Sequence, residues 1–407
     1  MRPRHHLVLA LNPWGHGETS LGIRLASSLR TGGEGVVFVT TNANAPLVQR
    51  AGFRAIVLPR QAYPLLPLYI ADCISKMNVG SIILSDHFTT ASFLKRTGLD
   101  EQTLARFQLP VIAIDTWDST RGQPIDVQNH GSEAPIDVLP ASIIHPVPFL
   151  SPRASGAYQS LPDVPPKVAR KVRKNVRRSL GISDSSQAVL FCSAAWQQGE
   201  HPLRGRWWLA DSVPALLGEY LSRIDSAHVV HVGPKTLPMG EKLGPRYHWL
   251  PQLPGTDFRA LMGSVDLFLS VNISAATIAE AMVAGVPVAV IQNSIPIYKQ
   301  EDCEEALRGR TLSDTLRQWI HASIPICSFS LWPVGFYKFL VPVMQDNPYT
   351  RALELLELFD EEGIEQRIRR LLTDRAAREE HVQRQQVYLD EVRALHDGCE
   401  AVRQLCA

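Results

Sequence analysis

Apolar residues along this chain fall in short unbroken runs. Each run is followed by a polar or glycine-containing break and then by a stretch with helical spacing. Residues 7–11 form the first run, which closes at Asn12-Pro13. Residues 19–29 follow, with Leu21, Leu25 and Leu29 one helical turn apart, and Thr31-Gly32-Gly33 ends them. Short runs recur at 36–40, 55–58, 79–85 and 111–115. Runs of this length read as strands buried on both faces, and their alternation with helical segments predicts a parallel sheet covered on both sides.

From 119 to 166 the periodicity fades, and the Pro, Ser, Asp and Gly content predicts surface loops and a domain boundary. Residues 167–178 predict a strongly basic helix, read here as a solvated linker because charge runs face water. The alternation then restarts, with strands at 188–192, 228–232, 267–271 and 286–292 and helices at 208–221, 258–262 and 276–284. The pattern therefore predicts an α/β chain with an N-terminal domain over 1–166, a basic linker over 167–187 and a second domain over 188–380. A C-terminal helix over 381–407 is expected to pack back on the first domain. Residues 294–350, with Phe329, Trp332, Phe336, Tyr337 and Phe339, read as an insertion and a return to the sheet. Beyond Arg351 the chain reads as helical and charged, with Val382, Leu389, Val392 and Leu395 on one stripe.

A length of 407 residues suits two cores rather than one. A net charge of +1 provides no global field for nucleic acid. The six cysteines show no CxxC or metal-finger spacing, and the histidines no HExxH, so reduced thiols in a cytoplasmic enzyme and no metal site are expected. The run at 7–11 is too short for a signal peptide core, and no apolar run reaches transmembrane length. Only nine of 41 basic residues are lysine, a bias pointing to a GC-rich, bacterial source.

Three constellations carry chemistry. The first, Asn12-Pro13-Trp14-Gly15-His16-Gly17-Glu18, lies between the first strand and the first helix, where open α/β sheets bind ligands. His16 there suits a general base near neutral pH, with Glu18 the alternative base, and equally suits a loop histidine bonded to backbone. The second is Ser85-Asp86-His87-Phe88, after the fourth strand. Asp86 either orients the imidazole of His16 or caps the next helix, and on its own motif the cap is favoured. The third is the strand at 267–271, the loop Asn272-Ile273-Ser274-Ala275 and the helix opening at Ala276-Thr277, with Glu280 one turn inside. A helix N-terminus offers N–H groups to a diphosphate, and a carboxylate one turn on can accept from ribose hydroxyls.

These motifs, in this order, resemble the GT-B glycosyltransferases, particularly the UDP-glycosyltransferase and MurG-type families. Gly15-His16 followed by a helix and Gly33-x-x-Val36-Val37-Phe38-Val39-Thr40-Thr41 is similar to the family's Gly-His turn, which places the catalytic base on His16. Ser85-Asp86-His87-Phe88 is similar to its D-x-F segment and gives Asp86 the role of orienting the base. Trp249-Leu250-Pro251-Gln252 is similar to the W-x-P-Q of the donor signature, so Trp249 would stack on the base and Gln252 contact the ribose. Asn272, Ser274, Ala275, Ala276 and Thr277 would hold the diphosphate and Glu280 the ribose. Where the family has His-x-Gly, this chain has Asn272-Ile273-Ser274, and no proline follows the Gly-His turn at the usual place. The acidic-Gln pair that reads the sugar finds its nearest echo in Gln345-Asp346-Asn347.

The resemblance implies two Rossmann-like domains facing across a cleft and a metal-independent, inverting transfer. The donor would be a UDP-, dTDP- or GDP-linked sugar, a substrate and not a cofactor, and the acceptor a small, partly apolar natural product. The net charge of +1 predicts no nucleic acid partner, and the basic run at 167–178 predicts at most peripheral contact with anionic lipid or a phosphorylated acceptor. Loops over 60–75 and 117–150 would shape the acceptor site. Two rivals share the fold: a sugar-nucleotide epimerase or hydrolase, and a non-catalytic partner protein.

Overall fold

The computed structural model describes residues 5–12, 16–121, 138–163, 168–198 and 207–406. Pro13, Trp14 and Gly15 of the first constellation, Lys167, and residues 122–137 of the segment 117–150 expected to shape the acceptor site lie outside them. The described residues divide into two compact units. One holds 5–12, 16–121, 138–161 and 390–406, and the other holds 162–163, 168–198 and 207–389.

Unit 1 is built on seven parallel strands: β1 (His5–Ala10), β2 (Gly35–Thr41), β3 (Arg54–Leu58), β4 (Val79–Leu84), β5 (Val111–Ile114), β6 (Ser142–Val147) and β7 (Ala157–Gln159). Their order across the sheet is β3-β2-β1-β4-β5-β6-β7. Side chains alternate along each strand, and both faces are buried. Leu7, Leu9, Val37 and Val39 enter one core, while Val8, Ala10, Phe38 and Ile83 enter another on the opposite face. Helix Gly17–Thr31 lies in the second core through Leu21, Leu25 and Leu29. Gly22 lets it come close to β4, because a Cβ there would stand 2.9 Å from Ser85 Cβ.

Residues 119–166, expected to be loops, contain β6 and β7. The three-residue β7 and a β6 interrupted by His145 and Pro146 are too short and mixed to stand out as apolar runs. The last helix, Gly398–Cys406, belongs to unit 1. Cys399 donates its backbone N–H to Ser28 Oγ at 3.0 Å, and Arg403 Nη2 donates to Gly32 O at 2.7 Å.

Unit 2 has six parallel strands: β8 (Gln187–Cys192), β9 (Ala227–Val232), β10 (Tyr247–Leu250), β11 (Leu267–Ser270), β12 (Val288–Gln292) and, after a hairpin of β13 (Phe329–Leu331) and β14 (Gly335–Phe336), β15 (Glu354–Glu357). Their order is β10-β9-β8-β11-β12-β15, with the hairpin separate. In both sheets the strand order reverses direction at one place, between β1 and β4 and between β8 and β11. Those switch points leave open crevices at the carboxyl ends of the strands.

Residues 168–187, read from sequence as a linker, lie in unit 2. Helix Arg170–Ser179 turns Arg173 and Arg177 onto Asp266, at 2.7 and 3.1 Å, and Asp266 also accepts the N–H of Ala188 at 2.9 Å. The helical reading beyond Arg351 omits β15, whose flanking glutamates disguise a strand as a charged helix turn. On helix Arg375–Arg393 the buried positions are Ala377, His381, Gln385, Tyr388, Leu389 and Val392, so the expected stripe shifts and two polar residues join it.

Candidate functional site

At the switch point of unit 1, His16 directly precedes helix Gly17–Thr31, and its ring is exposed. Its carbonyl accepts from Ser20 N at 2.8 Å and Ser20 Oγ at 2.7 Å, which fixes the backbone. Its Nδ1 lies 3.0 Å from Asn44 Oδ1. Asn44 in turn donates through Nδ2 to the carbonyl of Asn12, and Asn12 Nδ2 donates to Glu18 Oε2 at 2.9 Å. Loops after β1 and β2 thus meet through two asparagines.

Asp86 does not reach His16; it caps helix His87–Arg96, accepting the N–H of Thr89 at 2.7 Å. The backbone of Asp86 is extended (φ −162°, ψ 132°), the geometry that brings a side-chain oxygen onto the free N–H groups of the first turn. Its charged neighbour is Glu18. Burial first, and the Glu18 charge second, push the Asp86 carboxyl up to about 8. Burial also raises Glu18, against the bonds from its backbone and Asn12 and the nearby His16. A buried carboxyl, Asp86, and a half-buried one, Glu18, therefore lie near each other beside Asn12. His87 is buried, its Nδ1 3.0 Å from Ser119 Oγ and its Nε2 accepting from Leu139 N at 3.1 Å; burial lowers its pKa.

Unit 2 presents the second edge. Asn272 folds the loop after β11, its Oδ1 accepting Ser274 N at 3.0 Å and Ser274 Oγ at 3.1 Å. Ala275 N donates to Asn272 O at 3.2 Å, and Ile273 N donates to Ser330 O at 3.0 Å. Helix Ala276–Val283 begins at Ala275 with no side-chain cap, and Ile278 N turns back to Ala275 O. Among the described residues this leaves the N–H groups of Ala276 and Thr277 open at a helix start. Asn272 thus makes a side-chain turn onto Ser274, the residue that stands at the glycine of the His-x-Gly pattern. Glu280, one turn inside, is half-buried and close enough to Cys192, at the end of β8, for its charge to add to the burial that raises that thiol.

Trp249 stands on β10 with 40% of its surface exposed and donates Nε1 to Gly233 O at 2.9 Å. A Cβ at Gly233 would strike Ser193 Oγ and His231 Nε2. Gln252 is exposed in the segment after β10. The edge therefore runs from Trp249 on β10, past β9 and β8, to the open helix start after β11.

Gln345, Asp346 and Asn347 are placed otherwise. They form the turn between helices Tyr337–Met344 and Pro348–Arg351. Asn347 is buried as the cap of the second helix, accepting Tyr349 N at 3.0 Å, and Asp346 takes a left-handed φ of 54°. Tyr349, two residues beyond this turn, donates its hydroxyl to Ile273 O in the loop after β11 at 2.7 Å.

Sequence reasoning named Asn12 without giving it a role, and it missed Asn44 and, in unit 2, the set of Ser193, Gln198, His231 and Tyr247. Ser193 Oγ lies 2.7 Å from His231 Nε2, and His231 Nδ1 lies 2.7 Å from Tyr247 OH. Burial pushes His231 down to about 4, so it is neutral. Their shared signal is position: each lies on a parallel strand or in the segment that follows one.

Among the described residues, no cluster of three or more His, Cys, Asp or Glu could hold a metal, all six cysteines are free, and no helix is long and apolar enough to cross a membrane. A family model described as "Family of unknown function (DUF6365)" matches residues 25–407. No curated protein matches the chain in sequence. Several solved structures share its fold from end to end. The calicheamicin glycosyltransferase CalG4 is 16% identical with a TM-score of 0.52, covering 100% of this chain and 98% of that one. Anabaena HepE, solved with UDP-glucose, is 13% identical with a TM-score of 0.56, covering 98% of each chain. The spinosyn rhamnosyltransferase SpnG, solved with thymidine diphosphate, is 15% identical with a TM-score of 0.52, covering 99% of each. The two parallel sheets and these likenesses give the chain a GT-B fold.

Proposed function

The chain belongs to the DUF6365 family, and we propose that it is a glycosyltransferase using a nucleotide-diphosphate sugar and a small, partly apolar acceptor. The observation that carries the reading is the open start of helix Ala276–Val283 at the switch point of unit 2. Its free N–H groups suit a diphosphate, and Glu280 follows within a turn. Trp249 on β10 suits the nucleotide base. Solved relatives in fold carry UDP-glucose and thymidine diphosphate, which supports the donor class. For the acceptor, Leu65 and Leu68 are exposed in the 60–75 segment of unit 1, at 48% and 65%.

In this reading the acceptor O–H gives its proton to His16. The acceptor oxygen attacks the anomeric carbon from the face opposite the phosphate, and configuration inverts. The bond from that carbon to the phosphate oxygen breaks, and its electron pair leaves on the diphosphate, where the helix start and the hydroxyls of Ser274 and Thr277 receive the charge. The step calls on no metal.

Calorimetry with UDP, dTDP and GDP, followed by transfer assays with the matching glucose donors, tests the reading. One nucleotide is expected to bind, and Glu280→Ala to weaken it. His16→Ala is expected to lower turnover by about 10²–10⁴-fold with nucleotide affinity unchanged. Absence of binding to all three would overturn it in favour of a non-catalytic protein, and release of free sugar without an acceptor in favour of a hydrolase.

A further inference from the structure

We propose that Asn44, and not a carboxylate, is the residue that positions His16: its amide holds the imidazole in the Nδ1–H form and leaves Nε2 bare. The functional meaning of this rests on the reading of His16 as the base, but the geometry does not.

The argument is one of donors and acceptors. The carbonyl of Asn12 can only accept, so the Asn44 atom facing it is the amide nitrogen Nδ2. That choice turns Oδ1, which can only accept, toward His16 Nδ1 at 3.0 Å. A neutral imidazole carries one N–H, and here it must sit on Nδ1. The amide has no freedom to turn over. Asn44 is buried, its own N–H donates to Thr41 O at 3.2 Å, and its carbonyl accepts from Leu47 and Val48 at 3.0 and 3.2 Å. Asn12 is buried too, with its side chain held by Glu18. The ends of β1 and β2 therefore fix the amide from both sides.

The consequence is chemical. A free histidine side chain favours the opposite, Nε2–H form, so the exposed ring of His16 would default to it. The Asn44 bond reverses that default and leaves Nε2 bare on an exposed residue. It does so without a charge against the ring. The charged groups on this side are Glu18, close enough for His16 to lower its pKa, and Asp86 behind Glu18. A neutral orienting amide thus replaces the carboxylate expected at Asp86.

The test uses the full chain with nitrogen-15-labelled histidine and long-range proton–nitrogen correlation spectra, with His16 assigned from a His16→Ala sample. In the wild type above its titration, Nδ1 should give the protonated-type signal and Nε2 the bare-type signal. Asn44→Ala should shift the ratio of the two forms toward Nε2–H by about fivefold or more, the weight of one hydrogen bond. Asn44→Asp keeps an acceptor facing Nδ1, so it should restore Nδ1–H and move the His16 titration to higher pH. UDP affinity should not change in any of them. A wild-type His16 in the Nε2–H form would overturn the proposal whether or not the variants fold, as would Asn44→Ala retaining Nδ1–H. Nδ1–H present together with full turnover in His16→Ala would instead defeat the base assignment and leave the positioning intact.

Discussion

Asp86 holds a carboxyl where ionisation is costly and a helix needs an acceptor. As a cap it offers an oxygen to Thr89 N, which a neutral group can also do. Its folded pKa, about 8, stands above the ordinary 3.8. Between those values the folded state binds a proton that the unfolded state has released, so this group's contribution to stability falls as pH rises from about 4 to about 8. Asp86→Asn keeps the acceptor and removes both the charge and the repulsion with Glu18. It should raise stability by roughly 1–2 kcal/mol at pH 5 and by roughly 2–4 kcal/mol more at pH 8. Urea titrations at the two pH values check this, and a stabilisation equal at both would contradict it. The same residue shows how far a sequence can be read. Ser85-Asp86-His87-Phe88 fits both a cap and a catalytic partner, and only the backbone angles at Asp86 choose. Asn44 carried no local motif at all, because its partners Asn12 and His16 lie 32 and 28 positions away and meet it only once β1 and β2 pair.

The least expected element is the segment 326–332. It runs antiparallel between the chain just past β12 and the chain just past β11. Ile326 and Phe329 exchange backbone bonds of 2.7–2.9 Å with Ile297 and Asn293, and Trp332 N donates to Val271 O at 3.0 Å. The sequence showed an aromatic insertion here but not its docking, since three-residue strands have no period to detect. The longer strands β1, β2, β4, β8, β11 and β12 were legible because they are buried on both faces and so are unbroken apolar runs. The inserted segment, with Tyr349, ties down the backbone of the loop that precedes helix Ala276–Val283. Tyr349→Phe removes the donor to the Ile273 carbonyl in a buried site and should cost about 1–2 kcal/mol. The loosened loop should also weaken UDP binding severalfold. Thermal melts and calorimetry on the same samples separate the two effects, and an unchanged UDP affinity would show that the loop geometry does not depend on this tie.

For the whole molecule, the proposed function divides the labour between the units: proton acceptance at His16 in unit 1, diphosphate and base at Ala276, Glu280 and Trp249 in unit 2. That division was legible because each half of the sequence alternates strand and helix, with His16 after β1 and Ala276 after β11, two strands that border their sheets' switch points. What the alternation could not supply was the partition of the C-terminus, where the chain crosses from unit 2 to unit 1 between Leu389 and Asp390, inside the unbroken helix Arg375–Arg393. The division makes a prediction about where nucleotide acts. A ligand that binds the folded state suppresses local opening by RT ln(1 + [L]/Kd), about 2.7 kcal/mol at a hundredfold excess over Kd, and does so at the segments it touches. Hydrogen exchange read by mass spectrometry, with and without saturating UDP, should therefore slow most in peptides holding 247–252 and 271–283. The amides of Ala276 and Thr277 should be protected most, since they would donate directly to the diphosphate. Peptides holding Gly17–Thr31 and 42–50 of unit 1 should change far less, because the acceptor and not the nucleotide belongs there. Protection centred on unit 1 would move the donor site out of unit 2 and with it the roles given to Trp249 and Glu280.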